Sequence, residues 1–112
     1  MMAARPGIEP DATFKLGEVF SYPNPAKNGN QPTIHIECGI ADSIKLKFYN
    51  IAGELVNSAD ISNTLKVLNN KYAYEYRWNI QNVASGVYIY YITATKQGEN
   101  PIKVLKKLAV IK

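Results

Sequence analysis

The side chains between Tyr72 and Ala94 alternate in a way that suits strands and not helices. Tyr72, Tyr74, Tyr76 and Trp78 are separated by Ala73, Glu75, Arg77 and Asn79, a period of two that sends every large ring to one face. Val87-Tyr88-Ile89-Tyr90-Tyr91-Ile92-Thr93-Ala94 follows, apolar, aromatic or β-branched almost throughout. Such a run is a strand covered on both faces, or covered on one with the other offered to a partner. Asn82-Val83-Ala84-Ser85-Gly86 joins the two runs, with Gly86 the natural residue for a positive φ. Six of the eight tyrosines and the sole tryptophan lie in this stretch, so the core is expected there.

The rest of the chain repeats the strand period more quietly. Phe14 to Tyr22 reads as a first strand, stopped by Pro23-Asn24-Pro25 because proline removes ladder donors and restrains its neighbour. Thr33 to Cys38 alternates with Ile34, Ile36 and Cys38 inward, which leaves His35 and Glu37 on a solvated outer face. Ser43 to Tyr49 places Ile44, Leu46 and Phe48 inward and Lys45, Lys47 and Tyr49 outward. Asn50-Ile51-Ala52-Gly53 is a hairpin connection with Gly53 in its left-handed position, and Glu54-Leu55-Val56 begins the returning strand. Residues 57–71, interrupted by Asn57, Ser58, Asn63, Asn69 and Asn70, fit one short strand or a helical turn. Lys96 to Pro101 is a polar turn. Ile102 to Lys112 mixes lysines with β-formers, as a solvated edge strand does. About seven short strands, with no long helix and no βαβ alternation, predict an all-β antiparallel sandwich, with a small barrel as the second architecture. Residues 1–13, containing Pro6, Gly7 and Pro10, read as a flexible leader, and residues 14–112 as one domain.

Composition narrows the function. A chain of 112 residues has the size of a single domain, and no apolar run approaches the ~20 residues of a membrane-spanning helix. The net charge of +4 is a mild excess, and along the sequence the lysines are scattered apart from Lys103, Lys106, Lys107 and Lys112, so nucleic acid is not an expected partner. Cys38 is the sole cysteine, which excludes an internal disulfide, and its phase with Ile34 and Ile36 makes it a small buried hydrophobe. Met1 to Gly7 lacks the apolar stretch of a signal peptide, and the double methionine suggests a chain cut from something longer, in which case any export signal lies upstream. One His, one Cys and nine scattered carboxylates provide no paired acids, no nucleophile beside a base and no ligand spacing. No catalytic residue, cofactor or metal is expected, and the chain does not read as an enzyme.

Four pieces, in this order, carry a resemblance. They are Tyr22-Pro23-Asn24-Pro25, then Lys47 to Val56, then Ala84-Ser85-Gly86-Val87-Tyr88-Ile89-Tyr90, then Lys106 to Lys112. Together they resemble the C-terminal sorting domains of the bacterial type IX secretion system, and the related immunoglobulin-like domain of the flagellar hook-cap protein. Hook-cap members carry an Asp-Gly turn after the tryptophan; here Asn79-Ile80-Gln81-Asn82-Val83 stands instead, closer to the sorting style. The resemblance implies an immunoglobulin-like sandwich behind an upstream passenger domain. It also implies recognition by a secretion translocon or cell-surface component, and an extracellular or cell-surface destination reached by way of the periplasm. The recognition elements it implies are Gly86, Val87 and Tyr88 in the turn, and Lys106, Lys107, Leu108, Val110 and Lys112 in the closing strand. A strand with free backbone groups suits that role by adding to a partner's sheet.

Two other functions fit a sandwich alone. One is a structural spacer or adhesive domain of a surface protein. The other is a carbohydrate-binding module with its rings stacked on sugar, although one face of the aromatic strand is needed to line the core. If Tyr88, Tyr90 and Ile92 face inward, then Val87, Ile89 and Tyr91 form an outward apolar stripe, covered by a loop or available to a second copy.

Overall fold

The structure, a computed structural model, describes residues 9–112, so residues 1–8 of the expected leader lie outside the described residues. The described residues form nine strands. They are β1 (Val19–Tyr22), β2 (Ala26–Lys27), β3 (Thr33–Ile36), β4 (Ser43–Asn50), β5 (Leu55–Asp60), β6 (Leu65–Leu68), β7 (Lys71–Arg77), β8 (Gly86–Thr95) and β9 (Ile102–Ile111). Two sheets result: a four-stranded sheet in the order β1-β3-β7-β6 and a five-stranded sheet in the order β2-β9-β8-β4-β5. This is the strand order of an immunoglobulin-like sandwich, in which the first strand divides between the sheets. The count is nine against about seven expected because β2 is a two-residue piece the hydrophobic pattern does not mark, and β6 lies where that pattern fitted a short strand or a helical turn equally.

The core lies where the alternation placed it. Ile34 and Ile36 of β3 and Tyr74 of β7 pack from one sheet; Ile44, Leu46 and Phe48 of β4 and Tyr90 and Ile92 of β8 pack from the other. Trp78, just beyond β7, stacks on Phe48 with ring centroids 4.0 Å apart and an interplanar angle of 12°. Tyr88 meets the same indole edge-on at 5.4 Å. Cys38 is buried, and burial pushes its thiol up to about 11, the state of an inert core residue. Of the aromatic run, Tyr74 and Trp78 are fully buried, Tyr76 packs against the core and Tyr72 is half-buried at its margin.

Three local readings are corrected, and the open choice at residues 57–71 is resolved in favour of strand. The first strand begins at Val19 and not at Phe14, because residues 15–17 bond irregularly to the 37–38 backbone: Lys15 N–H donates to Cys38 C=O at 3.3 Å and Gly17 N–H to Glu37 C=O at 2.7 Å. Residues 57–71 hold the end of β5 and all of β6, joined to β7 through Asn69 and Asn70 at φ of 51° and 61°. Two successive left-handed residues are the signature of a tight hairpin turn, here made by Asn-Asn. Gly86 does not take a positive φ; it is the first paired residue of β8, opposite Val110. His35 is on the outer face as expected but is not solvated, being only 6% exposed. Register explains it: Phe20 of β1 and Glu75 of β7 are its direct neighbours on either side, and the Phe20 ring stacks over the imidazole at 4.5 Å.

Candidate functional site

The two segments expected to carry recognition are distant in sequence and adjacent in space. β8 and β9 pair antiparallel over their whole length, with Gly86 opposite Val110, Val87 opposite Ala109 and Tyr88 opposite Leu108. Lys106 and Lys107 stand opposite Tyr90 and Ile89. Directly after β9 stands Lys112, whose N–H donates to Ser85 Oγ and whose Nζ donates to the Gln81 carbonyl, both at 2.8 Å. The Ala84-Ser85-Gly86 corner and the end of β9 are thereby tied together.

Within this hairpin the candidates divide by direction. Tyr88, Leu108 and Val110 point into the core, and the Tyr88 hydroxyl donates to the Ala84 carbonyl at 2.7 Å. That bond back across the corner is the tyrosine corner of immunoglobulin-like sandwiches, so the Ala84 to Tyr88 motif carries a structural duty. Val87, Lys106, Lys107 and Lys112 have exposed side chains. Gly86 contributes backbone.

The Tyr22-Pro23-Asn24-Pro25 motif has a role that sequence reading missed. It carries the chain from β1 in one sheet to β2 in the other, where Ala26 and Lys27 run parallel to Val110 and Ile111. On the way the Asn24 side chain acts as a stretch of strand. Its Oδ1 accepts from Ala109 N–H at 3.1 Å, and its Nδ2 donates to the Lys107 carbonyl at 3.4 Å. The outer edge of β9 is thus closed from Lys107 onward and open before it. The one sequence mark of this role is a polar residue between two prolines immediately after a strand.

The apolar stripe Val87, Ile89 and Tyr91 lies on the outer face of the five-stranded sheet. Register sets Ile89 between Tyr49 and Lys107, and Tyr91 between Lys47 and Leu105. Val87 stays 45% exposed and Leu105 62% exposed. Lys45 and Lys103 flank Thr93 on the same face, so the fold gathers four lysines that are separated in the sequence. Among the described residues none of the four makes an ion pair.

A second cluster occupies the outer face of the other sheet. His35 Nδ1 lies 2.7 Å from Glu75 Oε2 and Nε2 lies 2.8 Å from Glu37 Oε2. The Tyr22 hydroxyl also donates to Glu75, while Lys66 and Lys71 pair with Glu75 and Glu37. Burial raises the Glu75 carboxyl, but hydrogen bonds from His35 and Tyr22 and the charges of His35 and Lys66 outweigh it and hold the group below its ordinary value. Every member of the cluster has an internal partner, which suits a structural network. Among the described residues no group of three or more His, Cys, Asp and Glu side chains is arranged to hold a metal ion. No helix of the described residues is long and apolar enough to cross a membrane.

A two-sheet frame that closes on a buried aromatic core defines an immunoglobulin-like β-sandwich domain. The chain belongs to the family of secretion system C-terminal sorting domains, whose model matches residues 21–108. No curated protein matches the sequence closely enough to count as a relative. Among solved structures, CopC from Methylosinus trichosporium OB3b is similar with a TM-score of 0.52 at 12% identity, over 84% of this chain and 94% of that one. That likeness concerns the fold. An endo-beta-1,4-mannanase from Thermotoga petrophila aligns over 86% of this chain and 20% of its own, with a TM-score of 0.47 and 10% identity.

Proposed function

We propose that the chain is a non-catalytic sorting handle behind a passenger domain, exported by way of the periplasm and recognised by secretion machinery through the β8–β9 hairpin. The family match carries this reading. The hairpin supports it, since Val87, Lys106, Lys107 and Lys112 stand exposed on one structural unit. Its backbone and buried side chains hold them in place, and no chemistry is required of them.

The test is fusion of the chain behind a signal peptide and a reporter, in a bacterium that has a type IX system. The intact domain should bring the reporter to the surface or medium, and removal of Lys103–Lys112 should leave it in the periplasm. Because that deletion also removes buried Leu108 and Val110, a Lys106→Glu/Lys107→Glu variant that keeps the core is the second arm. A reporter that stays in the periplasm with the intact domain would assign the chain to the spacer or adhesive role instead.

A further inference from the structure

We infer that the open edge of β9 accepts a β-strand from another protein, and that this strand is acidic. The inference rests on the sorting reading for its biological setting, but its physical argument is independent of it. The backbone groups at Lys107, Ala109 and Ile111 that bond to Asn24 and Asn28 all point away from β8. The strand period of two extends this direction to Lys103, Leu105 and the Lys107 N–H. Among the described residues no strand pairs with that segment, since β2 reaches only Val110 and Ile111. The edge is therefore about three residues of ready ladder in a strand whose other side is fully paired with β8.

The side chains that flank this edge choose the occupant. Lys103, Leu105 and Lys107 share the outer face, with Lys45 and Lys47 behind them on β4, and no described acid forms an ion pair with any of these lysines. An incoming strand sets its alternate residues beside Lys103, Leu105 and Lys107, so the matching pattern is acidic, apolar, acidic at every second position. A second copy of this chain is the wrong partner. Antiparallel self-pairing centred on Leu105 sets Lys103 of one copy against Lys107 of the other, twice, and like charges directly opposed on neighbouring strands repel. The edge refuses itself and admits the opposite charge.

The experiment uses the full chain and a short threonine-rich peptide with glutamates flanking a central valine at alternate positions. Its counterpart carries lysines in place of the glutamates. With peptide raised to millimolar concentration, amide exchange at Lys103, Leu105 and Lys107 should slow with the glutamate peptide only. Lys103→Glu/Lys107→Glu, a surface change that leaves the core alone, should weaken the glutamate peptide by about tenfold and favour the lysine peptide. Equal response to both peptides, self-association of the chain, or a single-stranded oligonucleotide that takes the lysines without protecting those amides would each overturn the inference. Export is a separate readout. If Lys103→Glu/Lys107→Glu still exports a passenger, the acidic strand is refuted as the sorting contact and the sorting reading survives. If the unaltered domain exports nothing while the glutamate peptide binds, the sorting reading falls and the strand site stands.

Discussion

Replacing Trp78 with alanine is the sharpest test of the packing argument, because the same ring is also the natural candidate for a sugar platform. The indole is 1% exposed, stacked on Phe48 and met edge-on by Tyr88. A buried tryptophan removes about 200 Å² from water, which at about 25 cal/mol per Å² is about 5 kcal/mol. A denatured chain already hides part of that area, which lowers the figure, and the hole left between Phe48 and Tyr88 raises it. Trp78→Ala should therefore cost about 4 kcal/mol, close to the whole stability of a marginal domain. In a domain of this size the thermal midpoint should fall by about 15–30 °C. Trp78 is the only tryptophan, so indole fluorescence disappears with the substitution and unfolding is followed by far-ultraviolet circular dichroism. Trp78→Phe, which keeps a ring on Phe48, should lose markedly less. A loss below about 1 kcal/mol for Trp78→Ala, accompanied by lost binding to a glycan, would refute the core reading and restore the sugar platform.

Three further outcomes follow from the same structure. Tyr88→Phe keeps the ring against Trp78 and deletes the bond to Ala84, so urea unfolding should register about 1 kcal/mol of lost stability. Gly86→Ala should be nearly neutral, because its Cβ meets only the Tyr88 ring at 3.8 Å, whereas Gly39→Ala should be strongly destabilising: Gly39 has a φ of +71° and its Cβ would fall 2.0 Å from the Thr13 carbonyl oxygen. Glu75 has a carboxyl held below its ordinary value of 4.5, so it stabilises the fold above that pH and the contribution is lost as pH falls through 4.5 and then through the lower folded value. Denaturant midpoints measured from pH 7 down to pH 3 should drop in that window, and less steeply in Glu75→Gln.

The legible parts of this fold are those in which one side-chain period is enforced by burial. β3 and β4 alternate cleanly because one face of each meets the core, and β8 is unmistakable because its aromatic residues fill that core. β6 is the opposite case. Leu65 to Leu68 are all exposed, so no buried face imposes a pattern, and the Asn69-Asn70 turn that creates the strand lacks the glycine usually sought there. His35 shows a different limit. Its alternation correctly set it outward, but its burial comes from Phe20 and Glu75, residues 15 and 40 positions away that only register brings alongside. The site was legible to the same degree. The hairpin segments were marked by motif, while the closure of the β9 edge by Asn24 depends on a crossing between sheets that no local period encodes.

β9 has two sides with opposite obligations, and that decides which variants are informative. Leu108 and Val110 are 2% and 1% exposed and close the core, while Lys103 and Lys107, at the alternate positions, face solvent from the same strand. A partner that reads the open backbone edge of β9 meets the lysines at strand spacing only when the hairpin is formed, so recognition of this kind reports on folding as well as on sequence. Leu108→Ala removes a buried side chain and should cost about 2–5 kcal/mol, so failed export in that variant should coincide with a lowered denaturant midpoint. Lys107→Glu should leave the midpoint within about 0.5 kcal/mol of the parent and impair export through lost recognition alone. If Lys107→Glu exports normally while only destabilised variants fail, the exposed side chains of β9 are not what the machinery reads, and the handle is reduced to the requirement that the domain be folded.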